Sequence, residues 1–209
     1  MSIRGYHFTT AKYALESLQM QRVKVSTLGN LNDPFDLWAL AISDAEKRKQ
    51  FRVWQQQQIG RYGLLCFSEN WGNPLLWGHY GGRHQGIALG FDLNEEYATR
   101  VKYLRTRPVV REPLGAMLNT ILYTKYADWR YEREIRQFSL LDDCKSENGL
   151  YFEPFNPNLV LAEVVLGPLC DVTRSEILAA CGGRPVRIIK SRLAFNSFRV
   201  VRDLRGVQQ

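Results

Sequence analysis

Glu132 and Glu134 stand two residues apart in the stretch Trp129-Arg-Tyr-Glu-Arg-Glu-Ile-Arg136, with arginines at 130, 133 and 136 around them. What such acids can do is set by their neighbours. A cation beside a carboxylate keeps it ionised, and a second carboxylate opposes this. Whether the two can act together depends on the backbone. In a helix, side chains two apart do not face each other, whereas in a strand they share one face. Trp129, Tyr131, Ile135 and Phe138 favour a strand. Alternation then sets Tyr131 and Ile135 on one side and Glu132 and Glu134 on the other. The expectation is a strand carrying both acids, with Arg130 and Arg136, on one face at about 6–7 Å per two-residue step. The plain alternative is an exposed strand face with cross-strand ion pairs, which add little stability.

The elements that must position these residues follow from local signals. Arg4 to Phe8 reads as a short strand, Thr9 or Thr10 caps a helix to about Met20, and Arg22 to Thr27 alternates as a second strand. Gly29-Asn-Leu-Asn-Asp-Pro-Phe-Asp36 is a dense turn cluster, since Asn and Asp bond their own backbone and proline fixes φ. An amphipathic helix fills part of Leu37 to Ile59. The apolar run Gly63 to Ser68 reads as a buried strand. Asn73-Pro74 opens a short helix carrying Trp77 and Tyr80, which Gly81-Gly82 ends. Gly86 to Phe91 and Ala98 to Leu104 read as strands, Pro113 to Tyr123 as a helix, and Asp142 to Asn158 as a polar loop. Leu159 to Leu166 is a strand, Thr173 caps a helix to Ala180, and Val186 to Lys190 and Phe198 to Leu204 are the last strands. There is no regular βαβ rhythm, no G-x-G-x-x-G turn and no G-x-x-x-x-G-K-[ST] loop. The expectation is a single α+β domain over residues 1–209, with a split, mostly antiparallel sheet and peripheral helices.

Composition narrows the classes further. A chain of 209 residues, 45% hydrophobic and 23% charged, is ordinary for a globular protein with a sizeable core. The net charge of +7 is uneven: residues 170–209 hold eight Lys/Arg against three Asp/Glu. A second basic cluster is Arg100, Lys102, Arg105, Arg107 and Arg111. Such patches attract nucleic acid, nucleotides or acidic proteins, or simply keep a surface solvated. Cys66, Cys144, Cys170 and Cys181 show no C-x-x-C spacing and read as reduced thiols. With His7, His79 and His84 as the only histidines, no metal signature is present. The start lacks an apolar signal core, and the most apolar stretch, Leu159 to Leu169, is short and broken by Glu163. The expectation is a cytoplasmic protein with no membrane partner.

Four segments form a set: Tyr6-His7-Phe8-Thr9, Asn32-Asp33-Pro34-Phe35-Asp36, the block Trp77, Tyr80, His84 and Gly86, and Trp129 to Arg136. Together they resemble a widespread prokaryotic family of unknown function, marked by an N-D-P-F-[DE] turn, a W-x-x-Y-x-x-x-H-x-G block and a W-x-x-E-x-E-x-R strand. The resemblance runs from about Tyr6 to Val200. That family in turn looks like a distant relative of ADP-ribosyltransferases, with an early H-x-T strand and a late strand bearing a catalytic glutamate. This is an analogy between folds.

The resemblance implies an enzyme that uses NAD as a substrate. Cleavage of the nicotinamide–ribose bond passes through an oxocarbenium-like transition state, which a carboxylate on the ribose 2′-hydroxyl stabilises. Glu134 would hold that ribose, and Glu132 would orient or deprotonate the acceptor. His7 would bond the adenosine-side ribose and Thr9 would steady it. Ser68 would contact the nicotinamide amide or ribose, and Tyr80, beside Trp77, would stack on nicotinamide. Arg136 and its neighbours depart from the pattern; they would grip the NAD pyrophosphate, or pair with the acids and silence them. For each there is a plainer role: His7 as a satisfied strand histidine, Trp77 and Tyr80 as core, and the Asn32–Asp36 turn as structure.

Three functions fit. The first is an ADP-ribosyltransferase acting on a protein or nucleic acid, a toxin or phage-defence effector by resemblance. The second is a non-catalytic nucleic-acid-binding module in which the acids form a structural network; aromatic exposure beside the basic C-terminal third would favour it. The third is a hydrolase of NAD or a nucleoside.

Overall fold

The computed structural model describes residues 1–109 and 114–205, so Arg111 of the basic cluster and Pro113 at the head of the expected helix lie outside the described residues. The strands are β1 Ser2–Thr9, β2 Arg22–Thr27, β3 Tyr62–Ser68, β4 Ile87–Asn94, β5 Ala98–Arg100, β6 Lys102–Leu104 and β7 Thr124–Tyr126. They continue with β8 Glu134–Leu140, β9 Lys145–Glu147, β10 Leu150–Pro154, β11 Leu159–Leu166, β12 Arg187–Leu193 and β13 Val200–Arg202. The α-helices are α1 Ala11–Met20, α2 Ala45–Ile59, α3 Pro74–His79, α4 Leu118–Leu122 and α5 Arg174–Ala180. The protein is α+β and its strand pairing is mixed but mostly antiparallel; β11 with β12 and β6 with β7 pair in parallel. Among the described residues no helix is long and apolar enough to cross a membrane.

Contacts divide the chain into two compact units: Met1–Val23, Phe67–Tyr97 and Pro154–Gln209 form the first, Lys24–Cys66 and Ala98–Glu153 the second. In the first unit the strand order is β13-β12-β11-β4-β1. β1 pairs with β4 along its full length, from Ser2 opposite Asn94 to Thr9 opposite Ile87. α5 lies between the parallel strands β11 and β12 in sequence, as a parallel pair needs a long connection. The expected caps are present. Thr10 accepts from Tyr13 N, and Asn73 accepts from Leu75 N with Pro74 as the first helical residue. Thr173 and Glu176 close a reciprocal capping box on α5.

Alternation along β1 sorts its side chains between two faces. Tyr6 and Phe8 turn toward a core of Trp77, Ala88, Val165, Ile189 and Val200. His7 turns the other way, with its ring 6.0 Å from that of Phe67, and Thr9 follows it. Gly86 has no room for a side chain: a Cβ there would sit 2.2 Å from the Thr9 carbonyl oxygen.

In the second unit β2 pairs with β3, and β8 lies beside both β3 and β5. β5 and β8 run antiparallel, with Thr99 opposite Arg136. One core gathers Leu40, Phe51, Met117 and Ile121, and another Leu28, Leu64 and Leu122. Two sequence expectations change here. The strand expected from Trp129 begins only at Glu134; Ala127–Glu132 is a 3-10 turn, closed by Arg133 in the left-handed region at φ 46°. The polar loop expected from Asp142 contains the hairpin β9–β10, turned by Asn148 and Gly149 at φ 50° and 75°. Asn-Gly is the pair that such a two-residue turn favours.

Candidate functional site

The N-D-P-F-D turn and the E-x-E-x-R segment meet in the second unit. Asp33 caps the turn by accepting from Phe35 N at 2.9 Å, and Pro34 supplies the first residue of the 3-10 helix Pro34–Leu37. That turn sends Asp36 inward and leaves Phe35 exposed. Lys125 enters from β7, Glu132 from the end of its 3-10 turn, and Glu134 and Arg136 from β8.

These five charged side chains are each at most 7% exposed. Arg136 Nε and Nη2 donate to the two Glu134 oxygens at 2.7 and 3.0 Å. Nη2 also donates to Asp36 Oδ1 at 2.7 Å, and Nη1 donates to the Leu122 carbonyl. Lys125 Nζ donates to Glu132 Oε2 at 2.7 Å and to Glu134 Oε2 at 3.2 Å, and lies 3.8 Å from Asp36 Oδ2. The Cys66 thiol donates to Glu134. The Lys125 ammonium sits 4.9 Å from the Trp129 ring centre, and Glu134 N donates to Tyr103 Oη at 2.8 Å. Three acids and two bases leave one net negative charge in a buried site. The expectation of an exposed face with surface ion pairs is therefore corrected: both faces of β8 are covered from Glu134 to Gln137.

Burial works against every charge here, and the partners decide the outcome. Burial would raise the Glu134 carboxyl, but Arg136 and Lys125 outweigh it and hold Glu134 below its ordinary value. For Asp36 burial wins over Arg136 and Lys125, and its carboxyl is raised. Burial also opposes the Lys125 charge, yet Glu134, Asp36 and Glu132 together raise it. Burial pushes Tyr103 up to about 12, and the Cys66 thiol well above its usual range.

An ionised carboxylate offers about four acceptor positions. At Glu134 the donors are Arg136 Nε, Arg136 Nη2, Lys125 Nζ and the Cys66 thiol. A ribose hydroxyl could bond Glu134 only by displacing one of them. The arrangement keeps the acid ionised and encloses it.

The other residues singled out from the sequence belong to the first unit. Trp77 is wholly buried there, stacked edge-on against Phe8 at 4.9 Å with its Nε1 donating to the Trp71 carbonyl. It is a core residue, on the face of β1 opposite His7 and Thr9. Tyr80 is half-buried at the C-terminal end of α3. Ser68 is buried; its hydroxyl closes a local turn with the backbone of Asn70. His7 and Thr9 therefore share a face, and Trp77 does not join them.

Sequence reasoning missed Lys125, Cys66, Tyr103 and the inward role of Asp36, and it also missed a second buried pair. In the first unit Tyr6 Oη donates to Glu163 Oε1 at 2.6 Å, with Arg4 3.3 Å from the same oxygen. Burial and that bond push the Tyr6 phenol up to about 12. The available signal was Glu163 itself, the one charge in an apolar strand. At the loop joining β12 to β13, Phe195 and Phe198 are 78% and 98% exposed. The Arg192 guanidinium lies 4.3 Å from the Phe195 ring centre, and Arg187, Lys190, Arg199 and Arg202 are exposed nearby in sequence.

Among the described residues, no group of three or more His, Cys, Asp or Glu is placed to hold a metal ion. Compared with known proteins, the chain matches no family model, no curated protein and no solved structure.

Proposed function

We propose that this protein binds single-stranded nucleic acid through the β12–β13 hairpin of its first unit, and that the acids of its second unit form a structural network. The observation that carries the reading is the pair of exposed rings, Phe195 and Phe198, at the tip of a basic hairpin. Scattered exposed rings are ordinary, but two large rings on one loop, rimmed by arginines, mark an interaction surface. Bases stack on such rings whatever their sequence, while neighbouring cations follow the phosphates. Arg192 holds the Phe195 ring at 4.3 Å, and Arg199 and Arg202 extend the charge.

A labelled single-stranded pyrimidine oligonucleotide, followed by fluorescence anisotropy, tests this. Phe195→Ala with Phe198→Ala weakens binding, since each stacked base contributes about 1–3 kcal/mol. Arg192→Gln with Arg199→Gln flattens the salt dependence, by roughly 0.7 of slope for each phosphate no longer neutralised. Equal affinity of the phenylalanine variant and the wild type overturns the proposal; the residues are exposed, so the fold is not at stake.

A second reading, ADP-ribosyl transfer from NAD, rests on Glu132 and Glu134 converging on one cation, Lys125. It requires Glu134 to exchange a protein donor for the ribose. Release of nicotinamide from NAD that vanishes in Glu134→Gln, while the variant remains folded, favours it over the first reading, and the same release without transfer indicates the hydrolase.

A further inference from the structure

We infer that the second unit carries a separate site for a mononucleotide, in a cavity of about 320 Å³ walled by Phe35, Trp38, Leu104 and Tyr126 and flanked by Arg105 and Arg107. The volume is at the lower end of what small-molecule sites use; it suits one base with its ribose and phosphate rather than a dinucleotide. Phe35, Trp38 and Tyr126 supply its aromatic surface. Phe35 is 53% exposed and Tyr126 46%, because the capped turn at Asp33 drives Asp36 into the core and leaves Phe35 outside.

Arg105 and Arg107 supply the charge. Arg107 lies with its guanidinium 4.7 Å from the Phe35 ring centre. Arg105 and Arg107 are both exposed, and among the described residues neither has an ion-pair partner, unlike Lys125 deeper in the same wall. A cation over an aromatic ring keeps that ring oriented, and two guanidiniums match the oxygens of one phosphate by paired hydrogen bonds. Stacking on Phe35, Trp38 or Tyr126 and charge pairing at Arg105 and Arg107 together select a ligand that is flat at one end and doubly anionic at the other.

None of these residues lies in the β12–β13 hairpin, so the site stands apart from oligonucleotide binding. The test is calorimetric titration of the full chain with AMP, with adenosine and with inorganic phosphate. AMP saturates the protein, adenosine binds about tenfold more weakly, and phosphate alone weaker still. Arg105→Gln, which leaves the Phe35 contact intact, weakens AMP by at least about tenfold and leaves adenosine unchanged. Phe35→Ala weakens both, and oligonucleotide affinity is the same in every variant. Equal binding of AMP and adenosine overturns the inference by showing an apolar pocket without phosphate selection. Phosphate binding as tightly as AMP overturns it by showing an anion site without a base. No binding of AMP at millimolar concentration overturns it outright. Loss of oligonucleotide binding in the Phe195 and Phe198 variant with AMP binding retained shows the two sites to be separate.

Discussion

Replacing Glu134 by glutamine asks whether the acid is an enclosed structural charge or a reacting group. The substitution keeps the shape and removes one acceptor. If the amide nitrogen takes the Oε1 position it faces Arg136 Nε at 2.7 Å; if it takes Oε2 it faces Lys125 Nζ at 3.2 Å and Arg136 Nη2 at 3.0 Å. Either orientation sets donor against donor among side chains that are nearly fully buried. Removing one partner from a buried ion pair costs about 3–5 kcal/mol. For a chain of this length each kcal/mol shifts the melting temperature by about 2–4 °C, so Glu134→Gln melts roughly 10 °C below wild type at neutral pH. The pH dependence adds a second readout. The folded Glu134 carboxyl lies below its unfolded value, so its stabilisation is fully present above about pH 4.3 and is lost as pH falls through the lower folded value. The variant has no such contribution to lose, and the gap between the two proteins narrows in acid. Far-UV circular dichroism melts at neutral pH and near pH 3 measure both effects. A variant within about 1 kcal/mol of wild type at neutral pH, the range of surface pairs, refutes the enclosed-charge account.

Asp36 titrates with the opposite sign. Burial raises its carboxyl, so its favourable contribution is complete below about pH 3.9 and is lost as pH rises through the raised folded value; across that window wild type loses stability relative to Asp36→Asn, read from urea midpoints. Trp77→Ala removes a wholly buried ring and its bond to the Trp71 carbonyl, and unfolding in urea shows a loss of about 3–5 kcal/mol, as a core position requires.

The first unit is largely legible in the sequence because its signals are local. Thr10, Asn73-Pro74 and the Thr173–Glu176 box each fix a helix start within four residues, and the apolar run through Phe91 marks a strand covered on both faces. The E-x-E segment misleads because its period-two alternation does not continue through Arg133. At φ 46° that residue breaks the strand, and Glu132 and Glu134 converge on Lys125 by way of a turn rather than a shared face. Nothing near Lys125 in sequence announces its partners, since the Asp36–Arg136 bond spans 100 residues. The hairpin at Asn148-Gly149 is a missed signal rather than a hidden one. The two units are not legible, because each is assembled from separate segments and the chain changes unit inside β2, β3 and β10, where no linker marks the boundary.

A buried quintet of charges is a poor way to gain stability, since apolar side chains of equal volume often stabilise as well or better. What it supplies in this protein is direction. Arg136 grips Glu134 with two nitrogens, and one of them, Nη2, also holds Asp36 at 2.7 Å, so the turn Pro34–Leu37 is locked to β8 at one register. Phe35 precedes Asp36 in that turn and Trp38 closes it, and both line the cavity assigned to a mononucleotide. The network should therefore govern the cavity more than it governs the fold. The triple change Asp36→Leu, Glu134→Leu and Arg136→Met removes every charge of the grip at once and leaves none of the three unpaired. We expect the triple variant to melt close to wild type, in contrast with Glu134→Gln, while its Phe35 and Trp38 side-chain resonances broaden or multiply and AMP affinity falls. A triple variant that binds AMP as wild type does, with single sharp resonances for those two rings, shows that the turn needs no ionic register and leaves the burial of five charges in the second unit without a purpose at the cavity.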